Sequence, residues 1–142
     1  MFERDYLGRM IKDFIDGVLR TLQDTSIKEH PLETAKNVEK LLENCTDIDG
    51  DILLNLQPDS MVNMLQVTNV DPKLCVYVAH SLQFESKLLF KGGEDQIAKL
   101  REEQAIAVAK AYDVDLQEPP IELKESLSEE DLETLSSFGF AK

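Results

Sequence analysis

The residues whose spacing comes closest to a cation site are three aspartates around Gly50: Asp47, Asp49 and Asp51. Closely spaced carboxylates are the ligands that Ca²⁺ and Mg²⁺ prefer. The EF-hand pattern is not met, because with Gly50 at loop position 6 the first and twelfth positions hold Cys45 and Leu56 instead of carboxylates. We therefore predict a turn followed by an N-cap for the next helix, two places that aspartate favours. The triplet remains a weak metal candidate.

The cysteines and histidines offer a second possible chemistry, a zinc site. Cys75 and His80 are five residues apart on one predicted helix, which places them on different faces. His30 and Cys45 fall in other elements, whereas structural zinc sites have paired ligands at short spacing. We predict no bound metal and no cofactor. Two cysteines without a CxxC pair are typical of free thiols in a reducing cytosol.

Motifs for catalysis are not found in the chain. No GxSxG elbow surrounds a serine, and no Walker or dinucleotide pattern surrounds Gly92-Gly93, the one glycine pair. The 28 acidic residues offer many carboxylate pairs, but so many arise by chance that their number indicates nothing. We expect a protein without catalytic activity.

The charge of the chain restricts its partners. Its net charge is −13, and residues 94–142 hold five basic against thirteen acidic residues. Nucleic-acid binding requires clustered positive charge, and an anionic membrane surface would repel this chain. The longest uninterrupted apolar runs have five residues, far short of a membrane span, and the first residues lack the apolar core of a signal peptide. We expect a cytoplasmic protein that binds neither nucleic acid nor membrane.

The strongest structural pattern lies in the first 22 residues. Apolar residues recur there at the spacing of one face of an α-helix for about five turns, while charged residues fill the opposite face. The stripe contains Tyr6, Leu7, Met10, Ile11, Phe14, Ile15, Val18, Leu19 and Leu22. A helix this one-sided must be buried against another surface. With Phe2 included, the number of apolar residues favours a homodimer through this helix.

Further helices follow along the chain. They are predicted from Pro31 to Cys45, at Ile52–Leu56, from Pro58 to Val67, at 72–91, at 94–112 and at 128–138. Proline at a first helical position, Asp71 before Pro72 and the Gly92-Gly93 pair are start and stop signals. No segment alternates as a strand does. The predicted fold is all-α, with six or seven helices in stacked antiparallel pairs, an extended arm and a short C-terminal helix.

The predicted domain organisation divides the chain at residue 117. Residues 1–116 form a helical core domain, and residues 117–142 form an extended arm and a short amphipathic helix that belongs to this domain or docks on it. Pro119-Pro120 favours extended backbone over 117–121. Ser128 before three acidic residues is a capped helix start.

Two functions of different class agree with these patterns. The first is a protein-interaction or self-association module, whose surface would hold Phe2, Tyr6, Met10, Phe14, Leu132, Leu135 and Phe138. The alternative is a small-ligand sensor with a pocket between the predicted helices at 72–91 and 94–112. That pocket would lie near Tyr77, His80 and Tyr112.

The opening sequence MFERDYLGRMIKDFIDGVLRTL resembles the start of a family of short bacterial proteins, mostly from Firmicutes. These proteins begin with Met-Phe, an acidic residue and Asp-Tyr, which here are Met1, Phe2, Glu3, Asp5 and Tyr6. The resemblance is clearest over residues 1–22. It implies a cytosolic helical domain, with helix pairs similar to tetratricopeptide folds, and it implies no activity.

Overall fold

The computed structural model describes residues 8–14, 16, 17, 20 and 30–137, with backbone alone for 122, 123, 126 and 134–137. This part of the chain is all-α and has no strand. From residue 30 onward it contains α1 (Pro31–Thr46), α2 (Gly50–Leu53), α3 (Pro58–Val67), α4 (Pro72–Lys91), α5 (Asp95–Ala111), α6 (Ile121–Ser126) and α7 (Glu129–Ser137). Residues 8–14, 16, 17 and 20 are also helical, and we call them the N-terminal segment.

Proline opens three of these helices, as the sequence predicts. Pro31, Pro58 and Pro72 each occupy the first turn, where the missing N–H is not needed. At α4 the preceding Asp71 is the N-cap, and its carboxylate accepts a hydrogen bond of 2.9 Å from the Lys73 backbone N–H. The predicted start of α4 is therefore confirmed.

Three helices end in Schellman motifs, in which a residue with positive φ reverses the chain. After α5 this residue is Asp113 (φ 55°), and the Val114 N–H donates to the Ala109 carbonyl at 2.8 Å. After α4 this residue is Gly93 (φ 87°), and the Glu94 N–H donates to the Leu89 carbonyl at 2.9 Å. After α3 it is Asn69 (φ 61°), and the Val70 N–H donates to the Leu65 carbonyl at 3.0 Å. The tight ends of α3 and α4 set the short connections that place α4 directly after α3 and α5 directly after α4.

Helix α4 is the centre of the molecule. Thirteen of its 20 residues are buried, because it packs against α5 on one side and α1 on another. Helices α4 and α5 form an αα-hairpin joined by residues 92–94, and α3 packs against α5. The predicted all-α fold of packed helix pairs is confirmed.

Small residues bring α4 and α5 together. Ala98 and Ala105 of α5 are buried, and the Ser86 hydroxyl of α4 donates a hydrogen bond of 2.7 Å to the Ala98 carbonyl. A side-chain hydroxyl can reach a backbone carbonyl of a neighbouring helix when no large side chain separates the two. Ala98 and Ala105 thus allow α4 and α5 to approach each other closely.

The N-terminal segment packs on the core of its own chain. Ile11 and Phe14 are buried, and the Phe14 ring lies 5.2 Å from the Tyr77 ring of α4, centroid to centroid, at an interplanar angle of 59°. Gly17 lies against Leu41 of α1, where a Cβ would collide with the leucine side chain. The apolar stripe is therefore covered within the chain at these positions.

The region after α5 differs in one respect from the extended arm that the sequence predicts. Residues 121–126 form α6, directly after Pro120, whose carbonyl accepts a hydrogen bond of 3.1 Å from the Lys124 N–H. Leu127 is buried in the core, and the half-buried Leu132 of α7 packs against this core. Residues 121–132 thus form part of the same packed unit as the helices before them.

None of the described helices combines the length and the apolar character that crossing a bilayer requires.

Candidate functional site

The aspartate triplet has the structural role that the sequence analysis preferred. Asp47 ends α1 in the left-handed region (φ 58°), and Asp49 is the N-cap of α2, its Oδ1 accepting a hydrogen bond of 2.9 Å from the Asp51 N–H. Within the described residues no group of three His, Cys, Asp or Glu side chains could hold a metal ion. The turn and the N-cap are therefore confirmed.

The two cysteines are buried free thiols. Burial raises the pKa of Cys45 to about 12. Burial also raises the pKa of Cys75, to about 11, because its effect is larger than that of a hydrogen bond with Tyr112, which lowers the pKa. Because the thiolate is the reactive form, neither thiol is suited to act as a nucleophile at neutral pH. Burial also raises the pKa of Tyr112, to about 12.

The three residues of the alternative pocket have different surroundings. Tyr77 and His80 are buried in the core, Tyr77 against Phe14, whereas Tyr112 lies half-buried beside Cys75. In the described part of the chain Tyr77 and His80 fill core volume. A cavity of about 230 Å³ does lie between α4 and α5, but its lining includes Gln83, Ser86 and Ala105 and none of the three predicted residues.

The predicted interaction surface is divided between core and undescribed residues. Phe14 is buried against Tyr77, so its ring is not available to a partner, and this part of the prediction is wrong. Met10 and Leu132 are half-buried and pack against the core. Phe2, Tyr6 and Phe138 lie outside the described residues, as does the side chain of Leu135.

A cluster that the sequence analysis did not identify lies where α1, α4 and α5 meet. Its members are Glu39 of α1, Glu85 of α4, and Arg101 and Gln104 of α5. Glu85 and Gln104 are 0% exposed and Arg101 is 5% exposed. Charged residues are rarely buried this deeply unless they are paired.

Arg101 joins the members of this cluster. Its Nε donates to Glu85 Oε2 at 3.0 Å, and one terminal nitrogen donates to Glu39 Oε2 at 3.4 Å. The other terminal nitrogen donates to the Leu54 carbonyl at 2.6 Å and to Gln104 Oε1 at 3.1 Å. The guanidinium thus connects three helices with the end of α2.

Gln104 also binds the connection between α2 and α3 to α5. Its amide donates to the carbonyls of Leu54 and Leu56, at 3.0 Å and 2.8 Å. Carbonyls at the end of a helix lack partners within that helix. Arg101 and Gln104 supply donors to these two, and they fix the position of the connection that leads to Pro58.

The electrostatics of Glu85 are unusual. Burial raises the pKa of the Glu85 carboxyl well above its ordinary value, a hydrogen bond with the Glu39 carboxyl raises it further, and the Arg101 charge acts in the opposite direction. Glu85 Oε1 is buried and accepts no hydrogen bond from a donor in the part of the chain that the structure describes. The raised pKa means that the protonated form of Glu85 is favoured by its surroundings.

One signal in the sequence could have identified Glu85. It lies three residues from Leu82 and Leu88 and four from Leu89, and therefore on the same helix face as these apolar side chains. A glutamate on a buried face needs a partner, so a basic residue elsewhere had to face it. Nothing in the spacing indicates that Arg101 and Glu39 would be those residues.

A groove of about 740 Å³ lies between α3 and α5. Apolar residues form much of its lining: Pro58, Val62, Ile106, Ala107 and Ala111. The polar residues of the lining are Asp59, Asn63, Glu103 and Lys110. Ile106 is 49% exposed, and Val62 is half-buried. We call this feature the α3–α5 groove.

Comparisons with known proteins add no further constraint: no protein-family model, no curated protein and no solved structure matches this chain. The resemblance of residues 1–22 to a family from Firmicutes, and the tetratricopeptide-like pairs that it implies, therefore stay predictions.

Proposed function

We propose that this protein is a non-catalytic helical interaction module, and that its α3–α5 groove binds an amphipathic helix with a basic face on a partner protein. The observation that carries the proposal is the open groove with Ile106, half exposed, in its lining. A single exposed isoleucine is ordinary on a protein surface. An exposed isoleucine in a groove with Val62 and two alanines is the kind of surface that holds a helix.

The chemistry of the partner follows from charge. The chain carries −13, and residues 94–142, which include α5, hold thirteen acidic against five basic residues. A basic partner is attracted by this field, and a second copy of the same chain is repelled. We therefore favour a different protein over the homodimer that the sequence also suggested.

We also propose that the protein acts in the cytoplasm and binds neither nucleic acid nor membranes. The excess of acidic charge opposes binding to nucleic acid and to anionic membranes. Two buried free thiols agree with a reducing compartment, so we propose the cytoplasm.

A fluorescently labelled synthetic helix tests the binding, with leucines along one face and lysines along the other. Fluorescence anisotropy at physiological salt should detect binding to the wild-type protein. Ile106→Ser should weaken it about tenfold, the usual effect of truncating a central apolar contact. Ile97→Ser is the matched control, because Ile97 lies on the same helix with a similar exposure of 44% but outside the groove lining.

Three outcomes would contradict the proposal. The first is no binding, and the second is equal weakening by both substitutions, which would indicate attraction by charge alone. The third is equal binding of a peptide with glutamates in place of the lysines. Sedimentation velocity at high protein concentration tests the homodimer: a dimer that Ile106→Ser dissociates would mean that the groove binds a second copy.

A further inference from the structure

The contacts of Glu85 determine how its carboxyl can be charged. Oε2 accepts a hydrogen bond of 3.0 Å from Arg101, but the buried Oε1 accepts none from a donor among the described residues. A terminal nitrogen of the same guanidinium lies 3.4 Å from Glu39 Oε2, so both carboxyls contact one arginine side chain. Two ionised carboxylates cannot form a hydrogen bond with each other, because neither has a hydrogen to donate.

A count of charges also indicates that Glu39 and Glu85 are not both ionised. Arg101 carries one positive charge, and among the described residues the charged groups that face Glu85 are Arg101 from α5 and Glu39 from α1. The connection after α2 contributes only backbone carbonyls to the cluster. If both carboxyls were ionised, one negative charge would lack a positive partner beside the fully buried Glu85, where the low dielectric makes it costly.

We propose that Glu85 keeps its proton at neutral pH, with Oε1 donating a hydrogen bond to the Glu39 carboxyl, and that this pair is a pH-sensitive latch between α1 and the α4–α5 hairpin. With the proton in place, both carboxyls contact Arg101 and the cluster is neutral. When the proton leaves to solvent, two adjacent carboxylates repel each other across the α1–α4 contact. The Glu39 side chain is 35% exposed, which gives the proton a route to water.

The sign of the pH dependence follows from proton binding. In the unfolded chain Glu85 ionises at an ordinary value of about 4.5, whereas the folded pair retains its proton at higher pH. The folded state then binds more protons than the unfolded state, so the free energy of unfolding falls as pH rises from 5. Measurements are restricted to pH 5–8.5, because the raised pKa values of Cys45, Cys75 and Tyr112 act at higher pH.

Infrared spectroscopy detects the proton directly, because the carbonyl stretch of a protonated carboxyl is separate from the carboxylate bands. We expect a protonated-carboxyl band at pH 7 in the full-length wild-type protein. Glu85→Gln should remove the band, since the amide supplies the hydrogen-bond donor. Glu39→Gln should also remove it, because the new amide donates to an ionised Glu85. The control is Glu102→Gln, the same change at an exposed position next to Arg101, which should keep the band.

Urea denaturation tests the latch. The midpoint of the wild-type protein and of Glu102→Gln should fall as pH rises from 5 to 8.5, and the midpoint of Glu85→Gln should fall clearly less. A missing band at pH 7, or equal pH dependence of Glu85→Gln and Glu102→Gln, would overturn the proposal. If Glu85→Gln fails to fold, two spectra still test the proposal: the protonated-carboxyl band should be present in the wild type and absent from Glu39→Gln. None of these results depends on whether the α3–α5 groove binds a peptide.

Discussion

At the scale of single residues, Arg101 has the most partners in the buried polar cluster. It donates to Glu85, to Glu39, to Gln104 and to the Leu54 carbonyl. The carbonyl would keep a donor if Arg101 were removed, because Gln104 also donates to it. The buried Glu85 carboxyl would not, and its desolvation would remain uncompensated, whereas the Glu39 side chain is 35% exposed and keeps contact with water.

We therefore predict that Arg101→Met lowers the free energy of unfolding by about 3–5 kcal/mol, the usual cost of removing one partner of a buried ion pair. Urea denaturation at pH 7 measures the change. Lys99→Met, at an exposed position of the same helix, should change it by less than about 0.5 kcal/mol. A loss below about 1 kcal/mol in Arg101→Met would mean that water replaces the guanidinium without cost.

A double substitution separates the charge from the packing. Glu85→Leu combined with Arg101→Met removes the buried guanidinium together with the buried carboxyl that it contacts and keeps side chains of similar volume, an exchange that is often neutral or stabilising. We predict that the double variant is more stable than Arg101→Met alone by at least about 2 kcal/mol. Equal stability of the two variants in urea would assign the loss to packing and not to an unpaired carboxyl.

At the scale of elements, the structure differs most from the sequence-based prediction in the segment after α5. Two prolines favour extended backbone, but Pro119 and Pro120 lie before the first turn of α6 and so do not interrupt it. A helix of six residues is too short for hydrophobic periodicity to indicate it. The longer helices were predicted to within a few residues because they combine periodic apolar residues with start and stop signals such as the prolines at 31, 58 and 72 and the Gly92-Gly93 pair.

We predict that Leu127→Ala lowers the free energy of unfolding by about 2–3 kcal/mol, because Leu127 is 7% exposed and belongs to the core. Ile121→Ala, at the 66% exposed start of α6, should be within about 0.5 kcal/mol of the wild type. Urea denaturation of both variants compares them. A near-neutral Leu127→Ala would mean that residues 121–137 dock too weakly to stabilise the core.

At the scale of the whole molecule, the sequence predicts the fold class and the location of much of the core, because both follow from local periodicity. It does not predict the cluster around Arg101. Glu39 and Arg101 are 62 positions apart, and the carbonyls of Leu54 and Leu56 carry no side-chain signal at all. The α3–α5 groove was missed for the same reason: Val62 and Ile106 become neighbours only when the helices pack.

The central position of α4 predicts how stability is distributed. Amide hydrogens exchange slowly where opening requires unfolding of the core, and quickly where local opening suffices. We expect the slowest exchange in the buried middle of α4, near Val78 and Leu82, and faster exchange in the short helices α2 and α6. Hydrogen exchange followed by NMR measures this order. Faster exchange in α4 than in α2 would contradict a core centred on α4.

The buried ion pair also constrains how this sequence can change over evolutionary time. A lineage that loses Arg101 leaves Glu85 with no positive neighbour at 3.0 Å, whereas one that first replaces Glu85 leaves Arg101 with Glu39 and a backbone carbonyl. The order of substitution therefore matters: the carboxylate can be lost first, the arginine only afterwards. Sequences that share this fold should accordingly vary at positions 85 and 101 together, with Glu absent wherever Arg is absent.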